Sequence, residues 1–242
     1  MNEPDFTALW VYLSASPLLG LTATLMAYSL AYAMYERSRL QPLLNPVIVA
    51  VALLIGFLLL ADISYETYFD GAQFVHFLLG PATVALAVPL YRQLPTLRRL
   101  WVPVLGATCI GVTVGALSSV GLAWLLGAGL QTQLSFAPKS VTAPVAMGIS
   151  EQIGGLPSLT AVLVVLTGIF GAIFGTRLFA LLGIRDRRVM GIAMGVTAHG
   201  IGTARAFQIN NDMGAFSGLA MALSALLSAA LVPALVRFLN LN

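Results

Sequence analysis

The sequence predicts an all-α protein, a polytopic membrane helix bundle with about seven crossings and one re-entrant or broken-helix segment. Three observations carry this reading. The 242 residues are 59% hydrophobic and only 9% charged, where a soluble domain carries about 25% charge. Apolar windows of roughly 20 residues, the length that crosses a hydrocarbon core, follow one another along most of the chain. The polar connections between them run to on the order of ten residues, too short to build a soluble domain. A single membrane domain over 1–242 is therefore expected.

The expected crossings are 8–35, 47–61, 72–91, 101–126, 159–182, 189–207 and 215–238. The first is long, and Pro17 divides it into an interfacial turn and a span. Asn45-Pro46 reads as a helix start. Tyr65-Glu66-Thr67-Tyr68 reads as a loop whose aromatic rings lie at headgroup level. Residues 136–155 are apolar but interrupted by Pro138, Pro144 and Gly154-Gly155, and they hold Lys139 and Glu151. Either a re-entrant hairpin or a discontinuous span fits them. Small residues recur at helical spacing, as at Gly168, Ala172 and Gly175 and at Gly191 and Gly195, which lets helices pack closely in lipid.

Loop charge bears on the choice. Arginines form four groups, Arg37/Arg39, Arg92/Arg98/Arg99, Arg185/Arg187/Arg188 and Arg237, which alternate with acidic or uncharged connections. Arginine-rich loops stay cytoplasmic. All four groups share a side only if 136–155 returns to the face it left, whereas a full crossing places Arg185, Arg187 and Arg188 outside. The hairpin is favoured, with the N-terminus outside and the C-terminus cytoplasmic. The first five residues are acidic and lack the basic start of a cleavable signal, so the first helix is expected to be retained. The net charge of +3 comes from loop arginines, which gives no nucleic-acid face.

Two short stretches echo each other. Pro81-Ala82-Thr83-Val84 and Pro138-Lys139-Ser140-Val141 share the pattern Pro-x-Ser/Thr-Val, and each precedes a further proline, Pro89 and Pro144. Paired proline-interrupted apolar segments are a mark of transporters built from inverted repeats with discontinuous helices. Thr83 is then the first-half counterpart of Ser140.

Polar and helix-breaking residues are costly at depth in a bilayer, so their clustering marks candidate chemistry. A half-helix beginning after Pro138 presents N–H groups and a positive dipole end. Lys139 adds a full charge there, and Ser140 and Thr142 add hydroxyls, a set suited to a carboxylate. The alternative for Lys139 is a side chain snorkelling to the interface. Glu151 follows; a carboxylate withdrawn from water favours its protonated form and can carry a coupling proton, whereas one at headgroup level is simply solvated. His199 lies about halfway along its segment, flanked by Gly200 and Gly202, which loosen the helix. Histidine titrates in the physiological range, and the alternative is an interhelical hydrogen bond. Thr203 and Arg205 follow, and arginine binds carboxylates bidentately; Arg205 read otherwise marks the membrane boundary. No cofactor, metal site or enzyme activity is expected: paired Cys, His-x-x-x-His, Walker A and Gly-x-Ser-x-Gly patterns are missing from the sequence, and Cys109 is alone.

Pro81-Ala82-Thr83-Val84, Pro138-Lys139-Ser140-Val141-Thr142-Ala143-Pro144, Ser150-Glu151-Gln152-Ile153-Gly154-Gly155 and His199-Gly200-Ile201-Gly202-Thr203-Ala204-Arg205 strongly resemble, in order and wording, the LrgB/CidB family of bacterial membrane proteins. The resemblance runs from about 42 to 233, and the same domain is similar to the carrier half of the plastid glycolate/glycerate transporter. It implies two functions. One is transport of small monocarboxylates such as glycolate, glycerate or pyruvate. The other is control of murein hydrolase export and autolysis, alongside a small holin-like membrane partner of the LrgA/CidA kind. It also implies a bacterial cytoplasmic membrane and carries over Lys139, Ser140, Thr142, Glu151, His199, Thr203 and Arg205 as site residues. The residues themselves speak directly only for a secondary carrier of a small carboxylate, expected to work as a homodimer. The alternative is a non-transporting, antiholin-like modulator of an LrgA/CidA-like pore.

Overall fold

The fold is that of a computed structural model, which describes residues 17–38, 41, 44–78, 91 and 94–241. Among the described residues there are nine α-helices and no strand: α1 (Pro17–Arg37), α2 (Pro46–Ala61), α3 (Tyr65–Phe77), α4 (Leu94–Leu125), α5 (Leu130–Phe136), α6 (Ala143–Gln152), α7 (Pro157–Leu181), α8 (Arg187–Ile209) and α9 (Asn211–Phe238). The chain divides into two compact units, Met1–Ala85 and Leu86–Asn242. The expected crossing at 72–91 lies largely outside the described residues, as do Pro81, Thr83 and Pro89.

In the first unit α1 covers Pro17–Arg37 and ends on Arg37, a cation that complements the helix dipole, while the part of the expected first span before Pro17 lies outside the described residues. Asn45 caps α2 as expected, its side chain accepting from the Val47 N–H at 2.9 Å. The expected loop at Tyr65-Glu66-Thr67-Tyr68 is instead the first turn of α3. Ser64 supplies the reason: its hydroxyl accepts the Thr67 N–H at 3.2 Å, and Glu66 sits in the positive first turn. Gly20 lets α1 lie directly against the Tyr68 carbonyl, and the Thr24 and Tyr68 hydroxyls meet at 2.8 Å.

The second unit holds three long apolar helices, α4, α7 and α9, each long enough to cross a membrane. Between α4 and α7 the chain makes a hairpin from α5 and α6, whose turn and second arm fall in 136–155 and whose first arm precedes it. The hairpin's depth follows from its contacts. Ser135 on α5 and Ser150 on α6 both meet Thr160 at the start of α7, the Thr160 hydroxyl lying 3.0 Å from the Ser135 carbonyl oxygen and 2.8 Å from Ser150 Oγ. The Ser135 hydroxyl also accepts the Leu156 N–H at 2.8 Å. The two arms and the next helix are thus stapled together at one height, and the turn at 137–142 projects beyond them.

A second hairpin replaces the crossing expected at 189–207. The helical pattern of α8 breaks at His199, whose backbone takes φ 40° and ψ −130°. Met190 and Met194 before the break pack in one cluster with Ala206 after it. In an unbroken helix Met190 and Ala206 would lie about 24 Å apart. Gly202 rests against Ala198 and the Met194 carbonyl, which requires the two arms to run side by side. On α9, Gly195 from the first arm and Thr203 from the second both reach Ser217. Of the glycines read as packing positions, Gly191 and Gly195 bring the first arm onto carbonyls of α9 and Gly175 receives Met194; Gly171, which the sequence reading did not single out, receives Ala198. With Cys109 replaced by alanine, Met190→Cys with Ala206→Cys is expected to form an intramolecular disulfide in membranes, read as a mobility shift on reduction. A straight crossing would leave both thiols unbridged.

The unit therefore reads as long helix, hairpin, long helix, opposed hairpin and a final long helix. The helix–hairpin pair occurs twice in opposite directions, an inverted arrangement with discontinuous helices. Because α8 doubles back, α9 ends on the face opposite to Arg98, Arg99, Arg185, Arg187 and Arg188. The expectation that Arg237 shares their side, and with it the C-terminus, is corrected. A second re-entrant segment changes the parity of the path.

Candidate functional site

The tips of the two hairpins end at the same depth along α4 and α7. Along α7, Val164 packs with Ala146 of α6 and Gly168 holds the His199 ring. Along α4, Gly115 faces the Ser140 hydroxyl and Gly111, about one turn away, faces Val196. The segments entering from opposite faces thus reach one level from two sides.

The first tip forms because proline stops α5. Pro138 is buried, and the turn is closed by the Lys139 N–H on the Phe136 carbonyl and the Val141 N–H on the Pro138 carbonyl, both at 3.3 Å. Ser119 of α4 donates to the same Phe136 carbonyl at 3.0 Å, supplying a partner for a carbonyl that the ended helix leaves over. Lys139 is half-buried, with its ammonium donating to Ser140 Oγ at 3.3 Å. Thr142 sits at the N-cap of α6 in extended geometry, φ −61° and ψ 145°, without a side-chain capping bond. Pro144 is tolerated next to it because first-turn N–H groups have no intrahelical partner. The amino end of α6, a positive dipole end, is therefore presented at the tip beside Lys139 and the hydroxyls of Ser140 and Thr142.

The second tip is made by His199 itself, not by the adjacent Gly200 and Gly202. A positive φ is uncommon for a residue with a Cβ and is held only when surrounding contacts over-determine it. Here the side chain is only 4% exposed, and ring Nε2 lies 2.9 Å from the Val164 carbonyl oxygen. A carbonyl only accepts, so Nε2 carries the hydrogen and Nδ1 is the nitrogen with the lone pair. The interhelical hydrogen bond considered as the alternative for His199 is present, and it latches the second tip onto α7. The following arm starts at Gly200 and aims a second helix amino end at the junction. Thr203 is buried and hydrogen-bonded to Ser217 Oγ at 2.9 Å, which pins this arm to α9.

The other candidates lie elsewhere. Glu151 and Gln152 are exposed near the end of α6, about 12 Å along the helix from its tip. This placement does not bring Glu151 to Lys139. Arg205 lies on the returning arm of α8, donating to Gln208 Oε1 at 3.3 Å, and it lines a cavity of about 570 Å³ with Arg185 and Arg187. The candidate residues thus form two groups, Lys139, Ser140, Thr142, His199 and Thr203 around the tips and Arg205 with the loop arginines at one face.

The sequence reading missed Ser135, Ser150 and Thr160, which are buried and bonded to one another. Three hydroxyl residues in apolar surroundings were a signal, but their meeting depends on three separate helices. Thr160→Val is expected to lower the melting temperature in detergent by the loss of about 1 kcal/mol, because it leaves the Ser150 hydroxyl buried without that partner. Ser158→Ala, at an exposed position, is the control and should melt like the parent.

Comparison with known proteins gives one consistent result. The model of the LrgB-like family matches residues 24–238, a stretch that includes both hairpins. The uncharacterized protein YwbG of Bacillus subtilis is 36% identical over 224 residues, covering 92% of this chain and 98% of the relative. Holin-like protein CidB of Staphylococcus epidermidis is 28% identical over 225 residues, covering 93% and 97%. Antiholin-like protein LrgB of Bacillus mycoides is 28% identical over 229 residues, covering 93% and 98%. No solved structure gives a significant match.

Proposed function

Because this chain belongs to the LrgB-like family, we propose on the geometry of its hairpin tips that it is a secondary membrane carrier for a small monocarboxylate of the glycolate, glycerate or pyruvate class. The observation that carries the reading is that two hairpins entering from opposite faces end at one depth, with a lysine and two helix amino ends near that level. Broken helices at mid-membrane depth whose dipole ends face a solute are the usual architecture of a carrier site. The carboxylate is taken by Lys139 and the first-turn N–H groups of α6, and a substrate hydroxyl by Ser140 or Thr142. His199 Nδ1 is the tip group able to take up a coupling proton. Opposed hairpins give each face its own gate. Displacing one tip while the other stays latched exposes the junction to one side at a time, which is alternating access.

The test is uptake of labelled glycolate into proteoliposomes, with and without an imposed pH gradient. Saturable uptake above protein-free vesicles supports the carrier, and its absence for C2 to C4 monocarboxylates sinks it.

A second reading rests on the names of two relatives, holin-like CidB and antiholin-like LrgB. In it the chain modulates a small holin-like membrane partner by helix packing, and an apolar groove of about 530 Å³ between α4 and α8 offers a surface. Loss of an autolysis phenotype only when the partner is present, together with no saturable uptake, favours this reading over the carrier.

A further inference from the structure

We propose that the arginine-lined cavity between the end of α7 and the doubled-back α8 is a phosphate-binding site, separate from the hairpin tips. Arg185, Arg187 and Arg205 line it together with Met190, Ile209 and Thr176, and none of the residues lining it is acidic. Its volume of about 570 Å³ holds a phosphate group with part of the molecule that carries it. The fold builds it from residues distant in sequence: Arg187 opens α8 and Arg205 lies near its close, and only the turn at His199 brings them to one cavity. In a straight helix they would stand about 27 Å apart.

Charge and shape select the ligand chemistry. A single carboxylate offers two oxygens, fewer than several arginines around one cavity can engage. A phosphate offers several equivalent oxygens and accepts bidentate contacts from more than one arginine. The site lies at the end of the membrane-length helix α7, and Met190 and Ile209 give one apolar wall beside the charges. Basic pockets of this kind between membrane helices take lipid headgroups. The same chemistry serves a free phosphate-bearing solute, so phosphate is the common element and two sources can supply it.

The experiment uses the full chain, purified and delipidated in detergent. Its melting temperature is followed against added phosphatidylglycerol, phosphatidylcholine, inorganic phosphate and glycolate. Phosphatidylglycerol or inorganic phosphate is expected to stabilise the parent. The half-effective concentration is expected to rise roughly twentyfold in the Arg185→Gln, Arg187→Gln double variant. The charge-matched Arg98→Gln, Arg99→Gln variant, also at exposed positions, should keep the parent value. A response to phosphatidylglycerol but not to inorganic phosphate assigns the site to a lipid headgroup, and the reverse assigns it to a solute. Should the glutamine variant not fold, Arg185→Lys with Arg187→Lys replaces it, with a smaller loss expected because the forks are gone but the charges remain. Equal phosphate and phosphatidylglycerol responses in the two double variants would overturn the proposal. So would loss of the glycolate response alone, which would assign the cavity to the carboxylate path.

Discussion

Lys139→Ala is expected to abolish saturable glycolate uptake, lowering the rate at least about thirtyfold while the protein still folds. The size follows from removing one member of a charge pair formed away from bulk water, which costs ~2–5 kcal/mol, most of it because the bound carboxylate then keeps no full countercharge. Retention of the fold follows from the side chain's surroundings. The Lys139 side chain is only half-buried, its described hydrogen bond is the 3.3 Å contact with Ser140 Oγ, and the backbone N–H bond of Lys139 to the Phe136 carbonyl survives truncation to alanine. The paired readouts are uptake in proteoliposomes and melting temperature in detergent. Lys139→Arg should recover part of the rate, since it keeps the charge but changes the donor geometry. Equal uptake by the parent and the alanine variant would remove the tip junction from the transport path.

Gly195→Leu is expected to destroy the second hairpin's seat, with a loss of about 3 kcal/mol or more and poor recovery of folded protein. A Cβ at this position would overlap the Ser217 carbonyl oxygen and stand 3.0 Å from Ala220 Cβ. The obstacle is backbone, so no rotamer change on α9 relieves it, and the first arm of α8 must move away. That displacement would also strain the Thr203–Ser217 bond that fixes the other arm to the same residue. Gly121→Leu on α4 is the control: no atom lies within 4 Å of a Cβ there, and a leucine should melt close to the parent. Fluorescence-detected size-exclusion profiles and melting curves of the two variants make the comparison. Similar behaviour of both would mean that α8 does not pack on α9 through this face.

The legibility of the two hairpins in the sequence differs for a physical reason. At 136–155 the chain announces its turn. Pro138 and Pro144 cannot continue a helix, Gly154-Gly155 ends the return arm, and the arginines on either side demand an even number of passes. At 187–209 no proline appears. The turn is made by a histidine in a left-handed conformation, held by the Val164 carbonyl and by the space that Gly168 leaves for its ring. Local propensity gives no hint of such a turn, because its cause lies on α7, more than thirty residues away. The stretch therefore reads as one apolar crossing. The two flanking glycines mark a weak point, and the arginines at both ends, Arg187 and Arg205, were the unused sign that the segment begins and ends on one face.

The sequence offered the candidate residues as a list and could not offer their arrangement. Lys139, Ser140 and Thr142 stand together in the sequence because they share one turn. Their placement at the depth of His199, the separation of Arg205 into a cavity with Arg185 and Arg187, and the outward placement of Glu151 all depend on how the arms run.

What the sequence alone determined was the solvent of the protein and the local breaks. A chain with 9% charge and 59% apolar residues must hide its backbone polar groups in helices, and prolines fix where some of those helices stop. Tertiary structure decided how many segments cross and which polar residues meet. In lipid an apolar helix has the same surroundings whether it continues or turns back. Only packing partners, here the carbonyls of α9 and the glycines of α7, make the return more favourable than the crossing.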